Sequence, residues 1–217
     1  MKMNRLQIKV CGITRIDDAR KCAEFGAEMI GLNFYRQSPR YIEPELAREI
    51  VQAVPRSVCP VGVFVEASVD EVREIAAIVD FRCVQLHGNI LPETCRKLAQ
   101  EFRVIRALRT DIRFRPEDVQ LFSGCDVLID AHHPELHGGT GQTCDWPMAR
   151  ATLAFARFLI LSGGLNARNV SEAIAAVAPH AVDVCSGVES APGVKDRRAI
   201  ERFIAAVRQA EAVLTSH

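Results

Sequence analysis

Eight short apolar segments alternate with amphipathic segments along almost the whole chain of 217 residues. The apolar segments are predicted to be strands, because they are continuously apolar or alternate with a period of two. The segments between them repeat their apolar residues every three to four positions, as helices do. Continuously apolar strands that are separated by helices indicate a parallel sheet buried on both faces.

The pattern predicts eight strands and eight helices. The predicted strands are 6–10, 29–34, 58–65, 83–86, 104–108, 126–130, 158–161 and 181–184. The predicted helices are 18–25, 45–54, 69–79, 91–102, 116–122, 146–154, 166–178 and 197–214.

Eight such units in little more than 200 residues predict an α/β fold, a closed (β/α)8 TIM barrel. An open, doubly wound sheet is the alternative, but no Gly-x-Gly-x-x-Gly motif follows the first strand. No linker or low-complexity tract interrupts the pattern, so residues 1–217 are expected to form a single domain.

Charge and cysteine usage narrow the possible partners. With 27 basic and 27 acidic residues the net charge is zero, so no overall field attracts nucleic acid or an anionic membrane. The eight cysteines are scattered without a Cys-x-x-Cys pair, and no apolar run is long enough to span a membrane. We expect a cytoplasmic protein. No long apolar surface stripe is evident in the sequence, so a monomer is preferred over a homodimer.

Cys11 and Asp130 are the candidates for proton transfer. Each stands at the end of a predicted strand, and the carboxyl ends of barrel strands form the ligand-facing rim. Cys11 taken alone could be an ordinary buried thiol, and Asp130 could cap a loop. Partial desolvation is expected to raise the pKa of Asp130 and suit it to donate a proton. Together the two residues form an acid and a base on one rim.

Two glycine-containing loops are predicted to bind phosphate. Gly163 and Gly164 follow the seventh strand, whereas Ser186 and Gly187 follow the eighth. Glycines let backbone N–H groups approach a phosphate, and these two loops are the usual phosphate site of closed barrels. Ordinary turn formation would explain one loop, but less readily both.

Three further side chains are candidates for binding. Arg40, in the loop after the second strand, suits a substrate carboxylate, although it could also be a solvated surface residue. Gln85 and His87 share parity in the fourth strand and are expected to point inward. His87 could titrate near neutral pH or be a hydrogen-bonded structural residue.

A loop rich in histidine and glycine follows Asp130. Its possible metal ligands are His132, His133, His137 and Cys144. Their spacing matches neither a zinc finger nor His-Glu-x-x-His, so no metal is expected. We predict a mobile lid instead.

These motifs resemble those of the phosphoribosylanthranilate isomerase family of tryptophan biosynthesis. The matching segments are 9–14, 38–40, 85–88, 128–130, 138–141, 145–146, 162–165, 183–189 and 192–196. The chain departs from the family pattern at Cys185, where serine is expected, and at Cys144, where an aromatic residue is usual.

The resemblance implies an Amadori rearrangement that needs no metal and no organic cofactor. N-(5-phosphoribosyl)anthranilate would become 1-(2-carboxyphenylamino)-1-deoxyribulose 5-phosphate. Asp130 would protonate the ring oxygen, and the Cys11 thiolate would remove the proton from C2. Arg40 would hold the anthranilate carboxylate, and the glycine loops would hold the phosphate. The remaining substrate contacts are expected from Gln85, His87 and Asp183.

The residues of this chain match the requirements of other barrel families less well. The related isomerase of histidine biosynthesis has an aspartate in place of Cys11, and a metal-dependent epimerase needs ligands on several strand ends. A lyase that forms indole glycerol phosphate needs lysines at the rim, but Lys9 is expected to point away from Cys11. A barrel that only binds a phosphosugar would need neither Cys11 nor Asp130.

Overall fold

Eight parallel strands close into a barrel in the computed structural model, which describes residues 5–110, 113–130 and 145–215. The strands follow one another in sequence order, and the first pairs with both the second and the eighth. Helical segments connect successive strands. The prediction of a closed (β/α)8 barrel is confirmed.

The bounds of the elements agree with the predicted ones to within a few residues at most ends. The barrel strands are β1 Gln7–Val10, β2 Met29–Asn33, β3 Cys59–Val65, β4 Cys83–His87, β5 Arg103–Arg109, β6 Asp126–Asp130, β7 Leu159–Ser162 and β8 Ala181–Val184. The helices are α1 Ile16–Phe25, α2 Pro44–Ala53, α3 Val69–Val79, α4 Pro92–Leu98, α5 Trp146–Thr152, α6 Val170–Val177 and α7 Arg197–Thr215.

Two local differences from the prediction have simple causes. The segment Pro116–Phe122 is a 3₁₀ helix rather than an α-helix, a form that is common in short connecting pieces. After β8 the chain forms a 3₁₀ turn, Ser186–Val188, and a hairpin of β9 (Glu189–Ala191) and β10 (Val194–Lys195). These hairpin strands are too short to show a periodic pattern in the sequence.

The barrel interior is lined by every second strand residue. The inner cluster is Met29, Val61, Cys83, Ile105, Ala107, Leu128, Ile160 and Ala181. Because side chains alternate between the two faces of a strand, residues an even number of positions further along point the same way. This parity places His87, Asp130 and Ser162 at the carboxyl-terminal rim of the barrel.

The helices bury their apolar faces against the outside of the barrel. In α7 the buried residues Ile200, Phe203, Ile204 and Val207 recur at the spacing of one helical face. Among the described residues, no helix combines the length and the apolar character needed to cross a membrane.

We predict that truncating a leucine lowers the free energy of unfolding only where that leucine is buried. The same change, leucine to alanine, is compared at Leu86, which is fully buried in β4, and at Leu121, which is 63% exposed. Leu86→Ala is expected to lower the free energy of unfolding by about 2–5 kcal/mol, because it leaves a cavity. Leu121→Ala should change it by no more than about 0.5 kcal/mol. Urea unfolding measures both, and equal losses would contradict this packing.

Candidate active site

Cys11 lies one residue beyond β1 and extends the pairing of the first and last strands. Its amide N–H donates to the carbonyl of Val184 at 2.8 Å. The glycine at position 31 makes room for the thiol, because a methyl group there would lie 2.7 Å from the Cys11 Sγ. Cys11 is half-buried, so its side chain lies at the rim and stays partly accessible to solvent.

A buried ion pair lies next to Cys11. The Lys9 side chain is fully buried, and its Nζ donates to Asp183 Oδ1 at 2.9 Å. Asp183 Oδ2 accepts a hydrogen bond from the Ser162 hydroxyl at 3.1 Å. Burial acts to lower the pKa of Lys9, but the charges of Asp183 and Cys11 outweigh it, so the pKa is raised. Lys9 is therefore a permanent cation at the rim.

The expectation that Lys9 points away from Cys11 is wrong. The two side chains reach the same place, because a methyl group on Gly31 would lie 2.7 Å from Cys11 Sγ and 3.2 Å from Lys9 Nζ. Residues two apart in a strand share a face, and Lys9 and Cys11 are such a pair. The parity rule that was applied to Gln85 and His87 therefore also predicts this contact.

The environment of Cys11 favours its thiolate. Its pKa is lowered to about 6, chiefly because the Cys185 thiol hydrogen-bonds to it. Burial opposes the charge, whereas the Lys9 ammonium favours it. The same hydrogen bond raises the pKa of Cys185. This contact therefore favours one negative charge on Cys11 and one proton on Cys185.

Arg40 is engaged by a carboxylate of the chain itself. Its Nε and Nη2 donate to Glu189 Oε1 and Oε2 at 2.9 and 2.6 Å. Lys195 Nζ donates to the same Oε1 at 2.8 Å. Burial acts to raise the pKa of Glu189, but the two cations outweigh it and lower the pKa. The bonds to Glu189 use the edge of the guanidinium that carries Nε and Nη2.

Gly12 lets Arg40 approach the thiol pair. A methyl group at this position would lie 2.6 Å from Arg40 Cδ and 3.1 Å from Cys185 Sγ. Gly12 also has a φ of 74°, a conformation that favours glycine. Glu189 contacts Arg40 directly, Lys195 contacts it through Glu189, and both belong to the same group of charges. The sequence indicated no role for them, because their hairpin strands are too short to show a periodic pattern.

Asp130 shares a small cavity with both glycine-containing loops. The cavity has a volume of about 210 Å³, and its lining residues are Asp130, Ser162, Gly163, Gly164, Leu165, Asp183, Cys185 and Ser186. Asp130 is in register with Ser162 on the neighbouring strand. The cavity therefore combines a carboxyl group, exposed backbone and the Cys185 thiol that contacts Cys11.

Gly187 has a different place from the other predicted phosphate residues. It lines an adjoining crevice of about 600 Å³ together with Asn166 and Arg202. A methyl group on Gly187 would lie only 2.0 Å from the carbonyl oxygen of Leu165. The loop after β8 therefore packs directly on the loop after β7, and Gly187 permits this contact.

A larger cavity of about 720 Å³ opens on the opposite part of the rim. Its lining residues are Asn33, Tyr35, Ser38, Val63, Val65, His87, Gly88, Arg106, Ala107, Leu108 and Arg109. Arg106 is buried, and its guanidinium donates to the carbonyls of Leu86, Ala107 and Gly88. The lining is mixed, with apolar side chains beside hydrogen-bonding groups.

Gln85 and His87 both point inward, as predicted. The two Nε2 atoms are 2.7 Å apart. The Gln85 amide and the His87 ring therefore share a buried hydrogen bond. Burial, assisted by Lys9, lowers the pKa of His87 to about 4. His87 is therefore a hydrogen-bonded neutral residue rather than one that titrates near neutral pH.

A family model describing N-(5'-phosphoribosyl)anthranilate isomerase matches residues 8–206. The chain belongs to this family.

Relatives match nearly the full length of the chain. The N-(5'-phosphoribosyl)anthranilate isomerase of Chlorobaculum parvum is 41% identical over 217 residues, which cover 97% of this chain and 98% of the relative. The crystal structure of phosphoribosyl anthranilate isomerase from Thermotoga maritima superposes with a TM-score of 0.88 at 41% identity, over 94% of this chain and all of the other. The Thermotoga maritima enzyme is described as dimeric.

One relative was solved with a ligand. This phosphoribosyl anthranilate isomerase was crystallised with reduced 1-(o-carboxyphenylamino)-1-deoxyribulose 5-phosphate. It has a TM-score of 0.85 at 38% identity and covers 94% of this chain and all of its own.

Most of the predicted site residues meet at the same rim. Asp130, Asp183 and the glycine loops line the smaller cavity, and His87 lines the larger one. The predicted lid runs from residue 131 to residue 146, and its residues 131–144, which include the possible metal ligands, lie outside the described residues. The roles of the predicted residues stay predictions.

Breaking the Lys9–Asp183 pair is expected to destabilise this family member. Asp183→Leu or Lys9→Met should each lower the free energy of unfolding by about 3–5 kcal/mol, because each leaves an uncompensated buried charge. The double variant Lys9→Met/Asp183→Leu should recover part of this loss, because it removes both charges. Urea unfolding of the three variants tests the coupling, and strictly additive losses would contradict it.

Proposed function

We propose that this chain catalyses the Amadori rearrangement of N-(5-phosphoribosyl)anthranilate in tryptophan biosynthesis, with Asp130 as general acid and Cys11 as general base. The main support is the cavity that Asp130 shares with both glycine-containing loops, next to the thiol pair of Cys11 and Cys185. A phosphate bound to those loops would hold the sugar between the acid and the base.

The first step requires a proton donor at the ribose ring oxygen. Asp130 donates its proton to that oxygen as the bond between the oxygen and C1 breaks. The lone pair of the anthranilate nitrogen forms a double bond to C1, and the product is an open-chain protonated Schiff base. The position of Asp130 at the end of β6, within the cavity of the phosphate loops, supports this role.

The second step requires a base at C2. The Cys11 thiolate removes the C2 proton, the electrons form a double bond between C1 and C2, and the positive nitrogen receives the electron pair. The resulting enolamine tautomerises to the ketone when C1 gains a proton and the C2 hydroxyl loses one. A pKa of about 6 for Cys11 supports this role, because the base is already ionised at neutral pH.

The remaining residues position the substrate. The anthranilate ring occupies the larger cavity, whose apolar side chains include Val63 and Leu108. Arg40 receives the ring carboxylate through Nη1 while Glu189 holds the other edge of its guanidinium. Gln85, neutral His87 and Asp183 contact the open-chain sugar. Because the substrate nitrogen accepts the electrons, this mechanism uses no metal or organic cofactor.

We place this reaction in the cytoplasm and expect a monomer. The seven cysteines among the described residues are all free, which is typical of a reducing compartment. Because one relative is described as dimeric, the expected monomer is to be tested by analytical sedimentation.

Removing either proton-transfer group should abolish most turnover. Asp130→Asn and Cys11→Ala are each expected to lower kcat by about 100-fold to 10,000-fold, which is the usual contribution of a general acid or base. Substrate is formed in situ from anthranilate and ribose 5-phosphate, and the loss of anthranilate-type fluorescence is followed.

Binding provides the control for these variants. Both should still bind the reduced product analogue, because the phosphate loops and Arg40 are intact. Cys59→Ala, which changes a thiol at the opposite end of the barrel, should keep the wild-type rate. Wild-type turnover in Asp130→Asn or in Cys11→Ala would exclude the assigned roles.

The role of Arg40 is tested by removing the group that it should bind. Arg40→Met is expected to lower kcat/KM for the natural substrate by about 10-fold to 100-fold, which corresponds to one charge-assisted hydrogen bond. With the corresponding aniline derivative, which lacks the carboxylate, the same variant should lose much less.

Arg36→Met is the matched control, because Arg36 lies in the same loop with its side chain 78% exposed. It should affect neither substrate. Equal losses for the two substrates in Arg40→Met would show that Arg40 does not recognise the carboxylate.

A further inference from the structure

The thiols of Cys11 and Cys185 form a contact that is built into the closure of the barrel. β1 and β8 pair in parallel up to Val10 and Val184, and the bond from the Cys11 amide to Val184 extends the ladder. Neighbouring strands lie about 4.8 Å apart, so the next residues on the two strands stand side by side. This register sets the side chains of Cys11 and Cys185 next to each other, and each sulfur shifts the pKa of the other.

Charged groups surround both sulfurs of the pair. The charged and titratable groups around the pair are Lys9, Asp183, Arg40, Glu189 and Lys195. Lys9 faces Cys11 and stabilises a negative charge there. Glu189 Oε1 lies 3.9 Å from Cys185 Sγ and disfavours a negative charge there, whereas Lys195 and Arg40 favour one. Lys195 is 3.9 Å from the same sulfur, but it also bonds Glu189 and the Cys185 carbonyl.

The Cys185 thiol has one proton and two acceptors within reach. One acceptor is Glu189 Oε1, and the other is the Cys11 sulfur. A thiol donates more strongly to an anionic sulfur than to a neutral one, because hydrogen bonds to charged groups are the stronger ones. Ionisation of Cys11 therefore draws the Cys185 proton towards it.

We propose that Cys185 is a positioning residue of this site, whose thiol donates its hydrogen bond to the Cys11 sulfur and holds Cys11 as the ionised base. This inference rests on the proposed function for its catalytic meaning. In each turnover Cys11 gains a proton from the substrate and loses this stabilisation, so the thiol pair sets how readily the base is regenerated.

The test measures the ionisation of Cys11 directly. The protein is alkylated with iodoacetamide over a range of pH, and the modification of Cys11 is followed by mass spectrometry in the tryptic peptide 10–15. Wild type is compared with Cys185→Ala, which cannot donate, and with Cys185→Ser, which retains one donor. Cys59→Ala is the matched control, because Cys59 pairs with Cys83 away from this rim.

In wild type, Cys11 should react as a thiolate with a midpoint near pH 6. Cys185→Ala should raise that midpoint by about one pH unit and lower the alkylation rate at pH 6 about fivefold, as expected for a lost hydrogen bond to a charged group. Cys185→Ser should restore most of the shift, and Cys59→Ala should leave the midpoint in place. The acid limb of kcat/KM should move in parallel with the alkylation midpoint.

Two results would overturn the proposal. One is a Cys11 midpoint in wild type in the ordinary thiol range near pH 8.5, a measurement that needs no variant to fold. The other is a midpoint that Cys185→Ala does not move. If the midpoints shift as expected but no protein isomerises the substrate, the proposed function fails while the thiol contact stands. Normal activity with unmoved midpoints would reject only the role of Cys185.

Discussion

The buried ion pair between Lys9 and Asp183 joins the first and last strands of the barrel at the height of the candidate active site. A buried charge is costly unless it is paired and hydrogen-bonded, and here each ion satisfies the other, while Ser162 supplies a further bond to the carboxylate. The Lys9 ammonium also stabilises the thiolate of Cys11. The closure of the fold and the charge state of the proposed base therefore depend on the same contact.

A second charged cluster lies on the other side of the thiols. Arg40, Glu189 and Lys195 form a compact set in which one carboxylate is held by two cations. This cluster orients the guanidinium towards the rim and places a negative charge near Cys185. The two thiols thus stand between Lys9 and Glu189, an arrangement in which the ionised form of Cys11 and the protonated form of Cys185 support each other.

The two cavities divide the rim between the two parts of the proposed substrate. The smaller cavity combines Asp130 with flexible glycine backbone, which suits a phosphate and a sugar oxygen. The larger cavity has apolar walls with neutral His87 and buried Arg106, which suits an aromatic ring. A barrel permits this division because its rim is assembled from loops that follow eight separate strands.

Local pattern was sufficient for much of the fold. Val61 and Leu128 point into the barrel because successive side chains of a strand point to opposite faces. In α7 the buried residues recur with the period of a helix. These periodicities arise within one segment, so they are visible without any knowledge of neighbouring segments. The hairpin strands could not be predicted, because β9 has three residues and β10 has two, which is less than two periods of a strand. The 3₁₀ form of Pro116–Phe122 could not be predicted either, because about two turns do not distinguish a 3₁₀ helix from an α-helix.

The sequence by itself determined the barrel, the positions of Cys11 and Asp130 at strand ends and the two glycine loops, because each depends on local spacing. Only the tertiary structure decided that Arg40 is bound by Glu189, that His87 is neutral, and that Cys11 contacts Cys185, 174 positions away. Those features depend on the distances between side chains from different strands and on the burial they share. Distance and burial are set by closure of the barrel, which no single segment encodes.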